Sequence, residues 1–133
     1  MQITRQADYA LRAVIFLARM NGDERASTSA IAENQKIPPS FLAKIVSQLS
    51  LAGLIQTSRG ARGGVSLAKK PEEISVLDVI EAIDGPVLLN ECAGNPENCP
   101  FGLNCPLQHI WCDTRKELIS RLSSATFARE NVQ

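Results

Sequence analysis

The chain has 133 residues, of which 44% are hydrophobic and 21% are charged, and its 14 Lys and Arg balance its 14 Asp and Glu. This length allows one sizeable domain or two small ones that share a core, and the composition is ordinary for a globular protein. No run of about 18 uncharged apolar residues occurs, and charges interrupt the apolar N-terminal stretch at Arg5, Asp8, Arg12 and Arg19. The sequence therefore predicts neither a membrane span nor a signal peptide, and we expect a cytoplasmic protein.

The neutral total charge hides an asymmetry between the two halves of the chain. Residues 1–70 hold ten Lys and Arg against four Asp and Glu, a net charge of +6, whereas residues 71–133 carry −6. Attraction to phosphate groups is independent of base sequence and supplies the non-specific part of nucleic-acid affinity, so a basic front half favours contact with a polyanion. A chance imbalance of surface charge is the simpler explanation of the same count.

Three helices are predicted in the front half of the chain. Apolar residues recur at helical spacing after Thr4, which can cap the first helix, until Gly22 stops the pattern. A short second helix is expected over residues 28–35. Pro39 then opens a third helix, because proline lacks the amide proton that a first helical turn leaves unpaired.

The third helix separates its apolar and polar residues onto two faces. The apolar stripe has spacings of three and four and consists of Leu42, Ile45, Leu49 and Ala52. The opposite side carries Ser40, Lys44, Ser47 and Gln48. We therefore expect this helix to pack through one face and to present a polar surface on the other.

A β-hairpin is predicted after this helix. Two β-compatible runs, residues 54–57 and 65–68, flank the tip "SRGARGG". The resulting order of elements, three helices and then a hairpin, is that of a winged helix-turn-helix, in which one helix enters the major groove of B-DNA. We expect DNA contacts from the polar face of the third helix (Ser40, Lys44, Ser47, Gln48) and from two arginines of the hairpin tip, Arg59 and Arg62. A solvated helix face and an ordinary surface turn are the alternatives.

The fold class expected is therefore mainly α with a small β-hairpin wing and a long C-terminal dimerisation helix. Residues 1–70 form the predicted DNA-binding domain, and residues 71–133 form a sensor loop and dimerisation segment. Ser75 is expected to cap a helix that ends at Gly85. The last helix, from about Pro106 to Phe127, has more apolar surface than a small domain needs, which favours pairing with a second copy over folding back on its own domain.

All four cysteines, the only histidine and the only tryptophan lie within residues 91–112. Successive cysteines are separated by six, five and six residues, and none of these gaps is the two-residue gap of zinc ribbons or thioredoxin-like dithiols. Wide gaps containing glycine and proline suit a loop around something larger than one zinc ion, and iron–sulfur clusters are held mainly by thiolates. In the cytoplasm such a segment more often binds metal or is redox-active than forms structural disulfides.

A fourth ligand for such a site has several candidates. If the last helix begins at Pro106, then Cys105, His109 and Cys112 share one helical face. Either His109 or Cys112 could then complete the site. Cys112 lies beside Trp111 and is expected to pack as a small hydrophobe, whereas His109 stays open between packing and ligation.

Four stretches of the chain resemble the Rrf-type bacterial transcription regulators, the group that includes IscR, NsrR, RirA and CymR. They are "MQITRQADYALRAVIFLA", "IPPSFLAKIVSQLSLAGLIQTSRGARGGVSLAK", "ISVLDVIEAIDGP" and the cysteine segment that ends in "CPLQHIW". The resemblance covers nearly the whole chain. It implies a homodimeric winged-helix regulator that binds promoter DNA and carries a two-iron or four-iron iron–sulfur cluster, which reports iron–sulfur status, redox state or nitric oxide.

The resemblance also implies a set of ligands. The three cysteine ligands of the family carry over onto Cys92, Cys99 and Cys105. IscR-like members place a histidine three residues after the last cysteine, where this chain has Gln108, and His109 is turned from that direction by about 100°. NsrR-like members use an aspartate of the first helix, supplied by the other subunit, and Asp8 matches that position. A carboxylate is an exchangeable ligand for iron, which suits a sensor.

Three alternatives to a cluster-bearing regulator stay open at this point. The first is a cluster-free regulator in which Cys92, Cys99 or Cys105 forms disulfides, and the second is a structural zinc site. The third is an enzyme that uses Cys105 or Cys112 as nucleophile and His109 as base. The sequence offers no orienting partner for that base and no cofactor motif, so we predict no enzymatic activity.

Overall fold

Residues 2–20, 24–90 and 104–132 are described by the computed structural model of the chain. The front half contains α1 (Arg5–Ala18), α2 (Thr28–Gln35) and α3 (Pro39–Leu51). The hydroxyl oxygens of Thr4 and Ser27 cap the first two helices by accepting the amide protons of Ala7 and Ala30, both at 3.1 Å. The predicted cap at Thr4, the predicted second helix and the predicted start at Pro39 are confirmed.

The predicted hairpin is present, with each strand displaced by one residue. It consists of β1 (Ile55–Ser58) and β2 (Gly64–Leu67), which pair antiparallel with Ser58 opposite Gly64. The first strand begins after Leu54 because the Leu54 amide donates to the Leu49 carbonyl and so closes the end of α3. The segment before α2 also joins the sheet, since Ala26 and Val65 exchange two backbone hydrogen bonds of 3.0 and 2.7 Å. The wing is thereby fixed to the helical body.

The back half contains a 3-10 turn (Pro71–Glu73), α4 (Val76–Asp84), α5 (Gln108–Ser124) and α6 (Arg129–Val132). Ser75 caps α4 as predicted. Its hydroxyl accepts the Asp78 amide proton at 3.1 Å, and the Asp78 carboxylate accepts the Ser75 amide proton at 2.9 Å, which forms a complete capping box.

The last long helix is shorter than the expected span from Pro106 to Phe127. It begins at Gln108, whose amide donates to the Cys105 carbonyl at 3.0 Å in a turn before the helix. It ends at Ser124 because the following backbone pairs with the strand-like segment before α4, where the Phe127 amide donates to the Ile74 carbonyl at 3.1 Å. Phe127 is therefore a buried core residue rather than a helix terminus.

One hydrophobic core draws residues from both halves of the chain. Its largest fully buried side chains are Ile31, Leu42, Ile45, Leu49, Ile74, Val14, Val65 and Val79. Phe127 and Val132 complete it from the C-terminal side, and the Arg19 guanidinium donates to the Val132 carbonyl. Ala52, expected on the apolar stripe of α3, is exposed because the helix ends one residue before it.

In contrast with these elements, α5 contributes no buried residue along its 17 positions. Its apolar side chains are half-buried or exposed in the single chain, and Ile110 is 43% exposed. Over the three described ranges of the chain, none of the helices combines the length and the apolar character needed to cross a bilayer.

The turn between α2 and α3 yields a test of the fold. Lys36 ends α2 with φ 55° and ψ 46°, a left-handed conformation that side chains with a Cβ disfavour. We expect Lys36→Gly to raise the free energy of unfolding by about 0.5–1 kcal/mol, measured by urea denaturation. Lys36→Ala keeps the Cβ and is expected to change the free energy of unfolding little. A Gly variant less stable than the Ala variant would contradict the assigned turn.

Candidate functional site

The polar face of α3 is accessible along most of its length. Ser40, Lys44 and Ser47 are exposed. They lie opposite the buried stripe formed by Leu42, Ile45 and Leu49, none of which is more than 1% exposed. Pro38 precedes the helix without a side-chain cap, so the N-terminal turn of α3 is open to an external group.

Gln48 differs from the other three polar residues of this helix. Its side chain is half-buried, whereas the other three are exposed. Its Oε1 atom is buried and has no hydrogen-bond partner within the described part of the chain. A buried carbonyl oxygen without a donor is unfavourable by about 1–3 kcal/mol. Gln48 therefore lies at the edge of the polar face, and its contact with DNA stays a prediction.

The hairpin tip is a tight turn that exposes two arginines. The Gly63 amide donates to the Gly60 carbonyl at 2.9 Å, which closes the tip. A Cβ at position 63 would lie 2.3 Å from the Ser58 carbonyl oxygen, so only glycine fits this backbone. Arg59 and Arg62 are both exposed around it. The predicted wing therefore has a narrow, positively charged end of the kind that enters a minor groove.

The cysteine segment is described only at its end. Cys105 is a free, half-buried thiol three residues before α5, whereas Cys92 and Cys99 lie outside the described residues. Since α5 begins after Cys105, the expectation that Cys105, His109 and Cys112 share one helical face is wrong, and only His109 and Cys112 lie on the helix. Cys112 is also a free, half-buried thiol, and its Sγ accepts from Gln108 Nε2 at 3.7 Å. His109 is exposed.

Asp8 lies in the first turn of α1, with half of its side chain exposed. Its carboxylate is 3.1 Å from the Arg12 guanidinium, in an ion pair whose two members are both about half exposed. Such pairs contribute little to stability, so the carboxylate is able to exchange its partner for another ligand. Asp8 also lines an open cavity of about 500 Å³ together with Gln2, Ile3, Thr4 and Arg5.

Two of the predicted ligands have side chains of the chemical types that bind iron. A thiol at Cys105 and a carboxylate at Asp8 belong to the set of ligands that iron centres accept. Among residues 2–20, 24–90 and 104–132, no three His, Cys, Asp or Glu side chains come together as a metal site. Two of the three predicted cysteine ligands fall outside these ranges, so the full ligand set stays a prediction.

Three hydrogen bonds tie residues 84–87, which precede the cysteine segment, to neighbouring helices. The Asp84 carboxylate, at the end of α4, accepts from the Thr4 hydroxyl at 2.5 Å and from the Thr4 amide at 3.3 Å. The Val87 carbonyl accepts from Arg115 Nε of α5 at 2.8 Å. The backbone that leads into the cysteine segment is therefore held by both the N-terminal cap of α1 and α5.

Asp84 is not among the functional residues predicted from the sequence. An acidic residue at the C-terminal end of a helix is unfavourable with respect to the helix dipole. Its position in the last residue of α4 is explained by the bond to Thr4, a residue 80 positions earlier in the chain. The unfavourable position of the Asp84 carboxylate at the C-terminal end of α4 is thus the sequence signal that could have indicated a tertiary partner.

Comparison with known proteins agrees with this architecture. The Rrf2 family, described as iron-dependent transcriptional regulators, matches residues 3–129. The chain is 35% identical over 111 residues to the transcriptional regulator NsrR of Bacillus licheniformis, which covers 83% of this chain and 78% of the relative. It is 36% identical over 124 residues to the regulator IscR of Aliivibrio salmonicida, covering 93% of this chain and 71% of the relative.

A solved structure gives the same result at the level of the fold. The oxidized form of CymR from Staphylococcus aureus superposes with a TM-score of 0.75 at 30% identity, covering 98% of this chain and 96% of that one. The relatives are regulators of transcription and not enzymes, which confirms the predicted absence of enzymatic activity, and the predicted winged-helix fold is confirmed as well. The chain belongs to the Rrf2 family of DNA-binding, winged-helix transcriptional regulators.

Proposed function

We propose that this chain is a homodimeric regulator whose affinity for promoter DNA is controlled by an iron–sulfur cluster that responds to redox state, nitric oxide or iron–sulfur status. The observation that carries the proposal is the attachment of residues 84–87, which lead into the cysteine segment, to the cap of α1 and to α5, through Asp84 and Val87. A chemical change in the cysteine segment is therefore expected to shift α1, the helix against which α3 packs. The family's description as iron-dependent regulators supports the choice of iron.

In this proposal, α3 lies in the major groove and the wing tip in the adjacent minor groove. The groove contacts come from the polar residues of α3, and Arg59 and Arg62 supply charge at the wing. The α3 residues are Ser40, Lys44, Ser47 and Gln48. The division of the chain follows from this: residues 1–70 bind DNA, and residues 71–133 sense and dimerise. Because the target is promoter DNA, the proposed location is the cytoplasm.

Homodimer formation is proposed through α5. This helix keeps an apolar stripe that its own chain leaves half-buried or exposed, including Ile110. Leu107, just before the helix, is 49% exposed. A second copy of the helix would cover this stripe, because apolar side chains left in water favour association. Dimerisation also gives the two recognition helices a fixed separation along the DNA.

The proposed ligands are three thiolates of one subunit and a carboxylate of the other. They are Cys92, Cys99, Cys105 and Asp8 of the partner subunit. When bound, a two-iron or four-iron cluster supplies a centre that reacts with oxidants and nitric oxide. His109 is the less favoured fourth ligand, since it points from α5 into solvent and follows Gln108, the position that a ligating histidine would occupy.

The route from the ligands to the DNA surface runs through α1. This helix carries Asp8, its N-terminal cap Thr4 is bonded to Asp84, and it packs directly against α3. A shift of α1 therefore changes the placement of the recognition helix. A coupling free energy of about 1–3 kcal/mol is enough to change DNA affinity between fivefold and 150-fold.

A second candidate function is a cluster-free thiol switch. Cys105 and Cys112 are both free, half-buried thiols, and the similar CymR of S. aureus was solved in an oxidized form. In this version, disulfides among Cys92, Cys99 and Cys105 replace the cluster. Iron and sulfide analysis with a visible spectrum of anaerobically purified protein separates the two candidates. A protein that acts as a thiol switch contains neither iron nor sulfide. On oxidation its mass falls by about two units for each disulfide formed, because two thiol hydrogens leave with two electrons that pass to the oxidant.

The wing is tested by a salt titration of DNA binding. Each phosphate contact adds about 0.9 to the slope of log K against log salt. We expect Arg59→Ala to weaken binding and to lower this slope by about one, and Arg62→Ala to act in the same direction. The matched control is Arg121→Ala, an exposed arginine of α5 in the acidic half, which is expected to keep the slope. An unchanged slope in both wing variants would remove the wing from the interface.

The ligand set is tested by cysteine replacement under anaerobic conditions. Cys99→Ala and Cys105→Ala are each expected to lose most of the iron and the visible absorbance, because three thiolates are needed to hold the cluster. Cys112→Ala is the control and is expected to retain both. Asp8→Ala is expected to accelerate bleaching by oxygen. A Cys99→Ala or Cys105→Ala protein with full colour and full iron content would contradict the assignment.

A further inference from the structure

Phe41 is a large apolar side chain at the border of the polar face of α3. It lies in the first turn of the helix, next to Ser40 and one turn before Lys44. It is 39% exposed, whereas the apolar residue that follows it, Leu42, is 1% exposed. A turn of about 100° per residue carries Phe41 away from the core and towards the side of Lys44. A hydrophobic ring thus reaches the surface that the polar residues occupy.

The ring of Phe41 is held in place by α1. Its centroid lies 5.9 Å from that of Tyr9, and the two ring planes meet at 62°, an edge-to-face contact. Because the ring is already supported on one side, little side-chain entropy remains to be lost when its exposed edge meets a ligand. The exposed edge of Phe41 is therefore a preorganised apolar contact at the N-terminal end of α3.

We propose that Phe41 contacts the C5-methyl group of a thymine in the major groove and so contributes to the choice of operator sequence. The inference rests on the proposed placement of α3 in that groove. The thymine methyl is the apolar group that base pairs present there, whereas the remaining groups are hydrogen-bond donors and acceptors. Ser40 and Lys44 provide hydroxyl and ammonium groups for those polar positions, and Phe41 provides the complementary apolar surface beside them.

The test uses the full-length protein and a DNA duplex that it selects from a random-sequence pool. Each thymine of the selected duplex is replaced, one at a time, by deoxyuridine, which keeps every hydrogen-bonding group and lacks only the methyl. We expect wild-type affinity to fall about threefold to fivefold at one position or at a symmetry-related pair of positions, the effect of removing one buried methyl. Phe41→Ala is expected to bind the thymine and deoxyuridine duplexes equally at those positions.

Two control variants separate this contact from a general loss of structure. Leu51→Ala removes another exposed apolar side chain of α3, 87% exposed and about 15 Å along the helix from Phe41, and is expected to keep the full deoxyuridine effect. Phe41→Leu retains an apolar side chain and is expected to keep part of the loss of affinity caused by deoxyuridine. Circular dichroism of each variant verifies that the helices are intact.

The outcomes distinguish the contact from the function on which it rests. If the wild type selects a duplex but no deoxyuridine substitution weakens binding, or if Phe41→Ala shows the same loss as the wild type, the thymine contact is overturned and DNA binding stands. If the wild type enriches no duplex from the pool in any state of its cysteines, the proposed sequence-specific binding itself fails.

Discussion

The burial of the apolar stripe of α3 against α1 determines what this protein presents to a ligand. Leu42, Ile45 and Leu49 are almost fully buried, and each contributes about 1.5–3 kcal/mol through its removal from water. This packing fixes the rotation of α3 about its own axis. The polar residues of the helix then face outward together, and the hairpin, fixed to the body through Ala26 and Val65, stands beside them.

The first helix, α1, is also in contact with both halves of the chain. It packs against α3 and α4, its cap Thr4 binds Asp84, and Arg19 at its other end binds the carbonyl of Val132. Packed cores respond to a change by shifting between discrete arrangements rather than by deforming gradually. In the proposed mechanism, a change near Asp8 or the cysteine segment therefore moves the DNA-reading surface as a unit.

Local rules were sufficient to predict the caps of α1 and α4, the start of α3 and its buried stripe, because each depends on neighbours within a few residues. The end of α5 was not predictable in this way, since Phe127 leaves the helix to pair with Ile74, about fifty residues earlier. The partner of Asp84 was not predictable either, since Thr4 lies 80 positions earlier, although an acid at the end of a helix is itself a local sign of a tertiary contact. The DNA-contact residues and the ligands remain predictions, because they depend on a nucleic acid, a second subunit and a cluster that no local pattern describes.

In the proposed mechanism, the state of the cysteine segment controls DNA affinity. Its most direct test is the dissociation constant for a selected operator, measured on one anaerobic preparation before and after removal of iron and sulfide, with the composition determined in both samples. We expect iron and sulfide in the first sample and a change in affinity between fivefold and 150-fold after their removal. The same affinity in both samples, or a first sample that contains no iron, would contradict it.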